Sequence, residues 1–115
     1  MYIYTIYEVT MTEDVNLGEK ITLTGFSDED TATMVAVKKI VGNGVKKLMD
    51  EHEDFRHLSI TLKKVHAHAD GKGGKNEIHL KLDLGKIYTT EVVDFNLFAG
   101  LDAAFKKVSL ESQKH

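Results

Sequence analysis

The C-terminal stretch DFNLFAGLDAAFKKV, residues 94–108, has the pattern of an amphipathic α-helix. At about 100° per residue, its apolar side chains fall into one stripe. The stripe consists of Leu97, Phe98, Leu101, Ala104, Phe105 and Val108. Asp94 or Asn96 is the expected cap, because a side-chain oxygen there accepts a free backbone N–H of the first turn. An aromatic-rich stripe needs a flat apolar surface to pack against, and we expect the preceding strands to provide it.

The residues before this helix alternate between apolar and polar side chains, which is typical of half-buried strands. Three strands are predicted, at residues 57–63, 77–84 and 87–93. The glycine-rich stretch 70–75 is expected to form the loop between the first two. Gly85 and Lys86 are expected to turn the chain into the third. These strands form an antiparallel meander in which each buries one face.

A further helix is predicted after Ser27, the expected N-cap, since three acidic residues follow it where the helix dipole favours negative charge. Its apolar side chains share an arc of about 120°. They are Met34, Val37, Val41, Val45, Leu48 and Met49. Gly42 and Gly44 each cost roughly 1 kcal/mol relative to alanine. The stripe keeps its phase across them, so we expect one helix, with a kink as the alternative.

Two more strands are predicted near the N-terminus. Residues 1–10 are rich in aromatic and β-branched side chains, and residues 19–25 are rich in β-branched ones. The polar residues 12–18 are expected to connect them, with Asn16, Leu17 and Gly18 near the turn of a hairpin. The first strand has apolar side chains on both faces, so it is either covered or paired with another chain.

The predicted order is β, β, α, β, β, β, α. The simplest arrangement is an α+β fold in which both helices lie on one face of a mostly antiparallel sheet. The opposite face would be wet or covered by a partner. We expect a single domain over residues 1–115, with residues 1–18 as an extra N-terminal strand and turn and residues 19–115 as the β-α-β-β-β-α unit.

Composition excludes several classes of function. The 115-residue chain has no cysteine, so disulfides, zinc–thiolate sites and cysteine nucleophiles are ruled out. No apolar run approaches about 20 residues and no signal-peptide pattern is present, so we expect a cytoplasmic protein without a membrane span. A net charge of −3 argues against a wholly basic nucleic-acid binder, although lysines can still gather on one face.

Three stretches carry a resemblance to a known family. Residues 96–102, NLFAGLD, followed by Lys107 and Val108, resemble a signature of an acidic or polar residue, Met, an aromatic, two small residues, an aliphatic, Asp or Asn, and later Lys-Leu. Residues 47–63 resemble the end of the family's first helix and its second strand, and residues 22–25, TLTG, its opening strand. From Ile21 onward, the chain therefore resembles the ribosome hibernation-promoting factor family, also called ribosome-associated inhibitor or protein Y.

The resemblance implies a β-α-β-β-β-α domain that binds rRNA of the small ribosomal subunit, in the channel used by mRNA and tRNA anticodon stems. Such a protein inhibits translation and preserves ribosomes under stress, and it is neither an enzyme nor dependent on a cofactor. Basic positions of the family match Lys38, Lys47, Lys107 and Lys114, and Lys39, Lys46 and Lys106 would add to the same positive field. Gly44 and Leu110 stand where the family has basic residues, which implies fewer phosphate contacts.

Three alternatives stay open on the residues alone. In the first alternative, the lysines form an ordinary solvated helix face on a protein-interaction or oligomerisation module, with a homodimer formed through the N-terminal strand. A metal site built from His66, His68 and His79 is disfavoured, because no carboxylate is obviously placed beside them. A metal-dependent enzyme is therefore the least favoured reading, and we predict no metal ligands and no catalytic residues.

Overall fold

A computed structural model describes residues 14–16, 20–65 and 74–113 of the chain. The elements in chain order are β1 (Asp14–Asn16), β2 (Ile21–Thr24), α1 (Thr31–Glu51), β3 (His57–Val65), β4 (Lys75–Asp83), β5 (Ile87–Asp94) and α2 (Leu97–Gln113). The predicted strand at residues 1–10 and most of the predicted loop at 70–75 lie outside the described residues, as does Lys114. The division into a single domain over residues 1–115 stays a prediction.

The described strands form one sheet in the order β1-β2-β3-β4-β5. Strands β2 and β3 are parallel, and the other neighbours are antiparallel. A parallel pair needs a long crossover connection, which α1 supplies. The predicted α+β fold is confirmed: it has the β-α-β-β-β-α order, a mostly antiparallel sheet and both helices on one face.

The register of β3 and β4 explains why one face of the sheet is apolar. Leu58 faces Leu82, Ile60 faces Leu80, and Leu62 faces Ile78. All six side chains are buried in the same cluster as the apolar residues of α1 and α2. Because alternate residues of a strand point to the same side, this one row of aliphatic side chains becomes the floor on which both helices pack.

Helix α2 begins at the cap that the sequence predicts. The Asn96 side-chain oxygen accepts a hydrogen bond from the Ala99 backbone N–H at 3.0 Å, and the Asp94 carboxylate accepts one from the Asn96 N–H at 2.8 Å. Of the predicted stripe, only Phe98 is misplaced, since it is exposed whereas the other five residues are buried. The buried side of the helix includes Gly100, which lies against Ile78.

Helix α1 starts later than predicted. Asp30 is the N-cap, and its carboxylate accepts the Thr33 backbone N–H at 2.7 Å, whereas Ser27 lies in a preceding turn. This hydrogen bonding holds the pKa of Asp30 below its ordinary value, because it favours the charged carboxylate. The helix is continuous through Gly42 and Gly44, as predicted, but Met49 is exposed and does not belong to the buried stripe.

The N-terminal part of the sheet corrects one prediction. Residues 14–16 lie in the polar stretch predicted as a connection, yet they form β1 and pair antiparallel with β2. Asn16 is the last residue of β1 and pairs with Thr22, so its predicted place near the turn of a hairpin is confirmed. Backbone hydrogen bonding can extend a sheet edge without apolar side chains, so an alternating pattern is not needed for so short a strand.

Candidate functional site

The candidate nucleic-acid interface is a groove between the outer sides of α1 and α2. The groove has a volume of about 270 Å³. It is lined by Ile40, Asn43, Gly44, Lys47, Leu48, Asp102, Phe105, Lys106 and Ser109. The helices can approach here because Gly44 has no side chain and the ring of Phe105 occupies that space. Two of the predicted RNA-binding lysines, one from each helix, therefore lie on the same groove.

Of the two helices, α1 supplies more of the unpaired positive charge. It carries four lysines against two acidic residues, Asp50 and Glu51. Lys39, Lys46 and Lys47 are exposed, and none of the three forms an ion pair or hydrogen bond with any residue that the structure describes. At about 1.5 Å per residue, Lys39 and Lys46 are roughly 10 Å apart along the helix axis. These ammonium groups are free to contact an extended polyanion.

Lys38 does not belong to this surface. Its side chain is only 5% exposed, and burial lowers the pKa of its ammonium group. Lys38 follows Val37 directly and lies at the margin of the apolar stripe, so its methylene stem packs inward. A phosphate cannot reach a side chain that is covered in this way. The structure thus removes Lys38 from the predicted RNA-binding set on the ground of accessibility.

The lysines of α2 point in different directions. Lys106 lies on the groove and forms an exposed i, i+4 ion pair with Asp102 at 3.1 Å, an interaction that is weak in water. Lys107 donates a hydrogen bond to the backbone carbonyl of Glu91 at 3.1 Å, so it lies toward β5. Lys114 is outside the described residues. Only Lys106 of this helix therefore joins the lysines of α1.

The chemistry available in the groove is that of donors for an anion. Lys47 and Lys106 provide charged N–H donors and Asn43 adds a neutral one, whereas the Ser109 hydroxyl already donates to the Glu51 carboxylate at 3.0 Å. Asp102 partly offsets the positive charge, and α2 as a whole carries two lysines against two acidic residues. Positive potential is therefore concentrated on the α1 side of the groove. The arrangement suits binding to phosphates.

A second group of side chains lies on the other face of the sheet, away from the helices. The His79 Nε2 atom is 3.5 Å from a Glu77 carboxylate oxygen and 3.9 Å from a Glu91 carboxylate oxygen. His66 and His68 lie outside the described residues. The expectation that His79 has no carboxylate beside it is wrong. Counting back from the turn at Gly85 pairs His79 with Glu91 across the hairpin, so the sequence held a signal for this contact.

Large apolar side chains are exposed at the end of the sheet formed by β5. Ile87 and Val93 lie on the open face, and Phe95 follows the strand with 63% of its surface exposed. Phe98 is exposed in the first turn of α2, close to this end. No described strand pairs with the outer edge of β5. Exposed apolar residues beside an unpaired edge are typical of a self-association surface.

No protein-family model matches the chain, and the search of curated proteins finds no match either. The resemblance to hibernation factors therefore depends on the residues quoted above and on the fold. Within the described ranges, no helix combines the length and the apolar character that crossing a membrane requires.

Proposed function

We propose that this protein is a ribosome-associated translation inhibitor that binds small-subunit rRNA through the α1 face and the groove between the helices. The observation that carries the proposal is the groove itself, where Lys47 of α1 and Lys106 of α2 line one surface on a β-α-β-β-β-α fold. Lys39 and Lys46 are exposed on the outer side of α1, about 80–100° around the helix from Lys47, and add to the positive charge beside the groove. No catalytic step is part of the proposal.

The binding energy would come mainly from phosphate neutralisation. Each lysine that contacts a phosphate releases condensed counterions, so affinity falls as salt rises. The contact set is Lys39, Lys46, Lys47 and Lys106, because Lys38 is buried and Lys107 is hydrogen-bonded toward β5. Contacts of this kind position a protein on RNA without reading its bases. Recognition of the ribosome then depends on the shape of the rRNA surface that receives the two helices.

The proposal is tested by co-sedimentation with small ribosomal subunits at increasing salt. With three to four phosphate contacts, we expect log K to fall with log salt at a slope of about −2 to −4. The double variant Lys47→Glu with Lys106→Glu should weaken binding by at least about tenfold, since each lost contact is replaced by repulsion. An in-vitro translation assay should lose inhibition in parallel.

The matched control reverses two lysines on the open sheet face, Lys63→Glu with Lys81→Glu, which are also exposed. This control changes the net charge by the same amount but should bind subunits nearly as well as the wild type. An equal loss of subunit binding in both double variants would mean that binding depends only on the net charge of the protein. Binding that is absent at low salt would overturn the proposal outright.

The second candidate is a self-association module of the same fold without RNA binding. The observation that favours it is the set of exposed apolar side chains at the outer edge of β5, Ile87, Val93 and Phe95. The predicted homodimer through residues 1–10 lies outside the described residues. A stable dimer that does not sediment with ribosomal subunits would select this candidate over the first.

A further inference from the structure

The open face of the sheet brings together three metal-ligating side chains through strand geometry alone. Glu77 and His79 are two residues apart on β4, so they point to the same side. Glu91 on β5 is the cross-strand partner of His79. The ligating atoms of the three side chains lie within 4.8 Å of one another. A rigid two-stranded segment thus positions one imidazole nitrogen and two carboxylates around a common point.

The contacts in this cluster are not hydrogen bonds. His79 Nε2 lies 3.5 Å and 3.9 Å from the two carboxylate oxygens, whereas an N–H donor normally approaches an oxygen to about 2.7–3.2 Å. The Nε2 atom is shielded from solvent and has no hydrogen-bond partner among the described residues. Shielded polar atoms are usually paired. Within the described part of the chain, the imidazole nitrogen therefore lies between two carboxylates without a hydrogen-bond partner.

These distances fit the coordination of a shared metal ion better than they fit hydrogen bonds. Two ligands that each lie about 2.1 Å from a tetrahedral zinc ion are about 3.4 Å apart. The 3.5 Å distance to Glu77 meets this requirement, and the 3.9 Å distance to Glu91 requires a shift of a few tenths of an ångström. Glu91 is exposed, so its side chain can make that shift. Two carboxylates also balance the charge of a divalent ion.

We propose that Glu77, His79 and Glu91 form a binding site for a divalent transition-metal ion, with Zn²⁺ as the reference ion and water completing its coordination. Imidazole and carboxylate donors together suit ions of this class. The ion joins the edge strand β5 to β4 and adds a cross-strand link to the hairpin. The site lies on the face of the sheet opposite the helix groove, so it is independent of the proposed RNA binding.

Two cations near the site limit its affinity. Lys63 on β3 is opposite Glu77, and Lys81 is the next residue of β4 on the same face. Neither lysine forms an ion pair with Glu77 or Glu91 among the described residues. Their charges repel a divalent ion, and the ligands are partly exposed. We therefore expect a dissociation constant for Zn²⁺ in roughly the micromolar range, well short of the affinity of closed structural sites.

The test is calorimetric titration of the full-length chain with Zn²⁺, supported by the visible absorption of bound Co²⁺. The wild type should bind one ion, and its melting temperature should rise in saturating Zn²⁺. His79→Ala and Glu91→Gln should each weaken binding by at least about tenfold, since loss of a supporting group alone costs 10–100-fold. Each variant changes a partly exposed side chain, so folding should persist, and circular dichroism checks this.

Two controls separate this site from other ligands of the chain. Glu53→Gln removes an exposed carboxylate outside the sheet and should leave Zn²⁺ binding unchanged. The double variant His66→Ala with His68→Ala should also bind Zn²⁺ with unchanged affinity. Binding that disappears in the double histidine variant but survives Glu91→Gln would overturn the proposal, as would wild-type binding weaker than about 1 mM.

Discussion

Gly44 shows how one residue sets the distance between the helices. A Cβ atom at this position would lie 2.6 Å from atoms of the Phe105 ring, well inside van der Waals contact. The absence of a side chain at this position allows α1 to pack closely on α2. The groove with Lys47 and Lys106 has its present shape because of this close packing.

We expect Gly44→Ala to destabilise the protein by about 1–2 kcal/mol, although alanine is the better helix former. The overlap with Phe105 costs about 1–3 kcal/mol as an overpacked contact, and the gain in helix propensity returns at most about 1 kcal/mol. Urea unfolding followed by circular dichroism measures the difference. Gly42→Ala is the matched control on the same helix, without the Phe105 overlap, and should be neutral or stabilising. Stabilisation by both substitutions would refute the packing argument.

At the scale of the elements, one buried side chain joins β4 to the start of α2. The Asn76 side-chain amide donates hydrogen bonds to the backbone carbonyls of Asp94 at 3.1 Å and Phe95 at 3.0 Å. Asn76 is buried, and the two carbonyls belong to the last residue of β5 and the first residue of the short connection to α2. The position of α2 over the sheet, and with it the position of Lys106, therefore depends on an amide from a neighbouring strand.

We expect Asn76→Ala to lower the free energy of unfolding by about 2–3 kcal/mol, because two hydrogen bonds are lost and two carbonyls lose their partner. Hydrogen exchange should also accelerate at the first turn of α2. Asn43→Ala, at an exposed position on α1, is the control and should change stability by no more than about 0.5 kcal/mol. Equal effects at the two positions would mean that the Asn76 contacts contribute nothing.

At the scale of the whole molecule, the helix face and the open face of the sheet are separate surfaces. The helix face carries the free lysines, whereas the open sheet face carries the cluster of Glu77, His79 and Glu91 and, beside it, the exposed apolar side chains of the edge strand β5, where Val93 is the cross-strand partner of Glu77. An edge strand with such residues is a template for pairing with another strand. Association through β5 would leave the helix groove accessible, so it is compatible with RNA binding.

We expect the wild-type chain to self-associate at high concentration, with β5 pairing to β5 of a second copy. Val93→Lys should shift the equilibrium toward monomer by at least about tenfold, because a charge replaces an exposed apolar side chain beside the edge. Analytical ultracentrifugation over a concentration series measures the shift. Val35→Lys, an equally exposed valine on α1, is the control. A monomeric wild type at millimolar concentration would contradict this prediction.

Much of the architecture depends on local sequence patterns, and that part was predictable. The stripe from Leu97 to Val108 and the cap at Asn96 depend only on helix periodicity and on a side chain that bonds within its own turn. The strands of the meander follow from alternation along each segment. The continuity of α1 through Gly42 and Gly44 follows from the phase of its apolar stripe, which the two glycines leave unchanged.

The rest required contacts between distant segments. Phe98 and Lys38 lie at the margins of their apolar stripes, and only the packing of the helices decides that one is exposed and the other is covered. Lys47 and Lys106 line the same groove because of the way the two helices dock. Glu91 lies close to His79 because of the register of the sheet. Periodicity describes each segment relative to its own axis. Which side chains of different segments come into contact depends on how the helices pack and how the strands align. Both are properties of the folded chain alone.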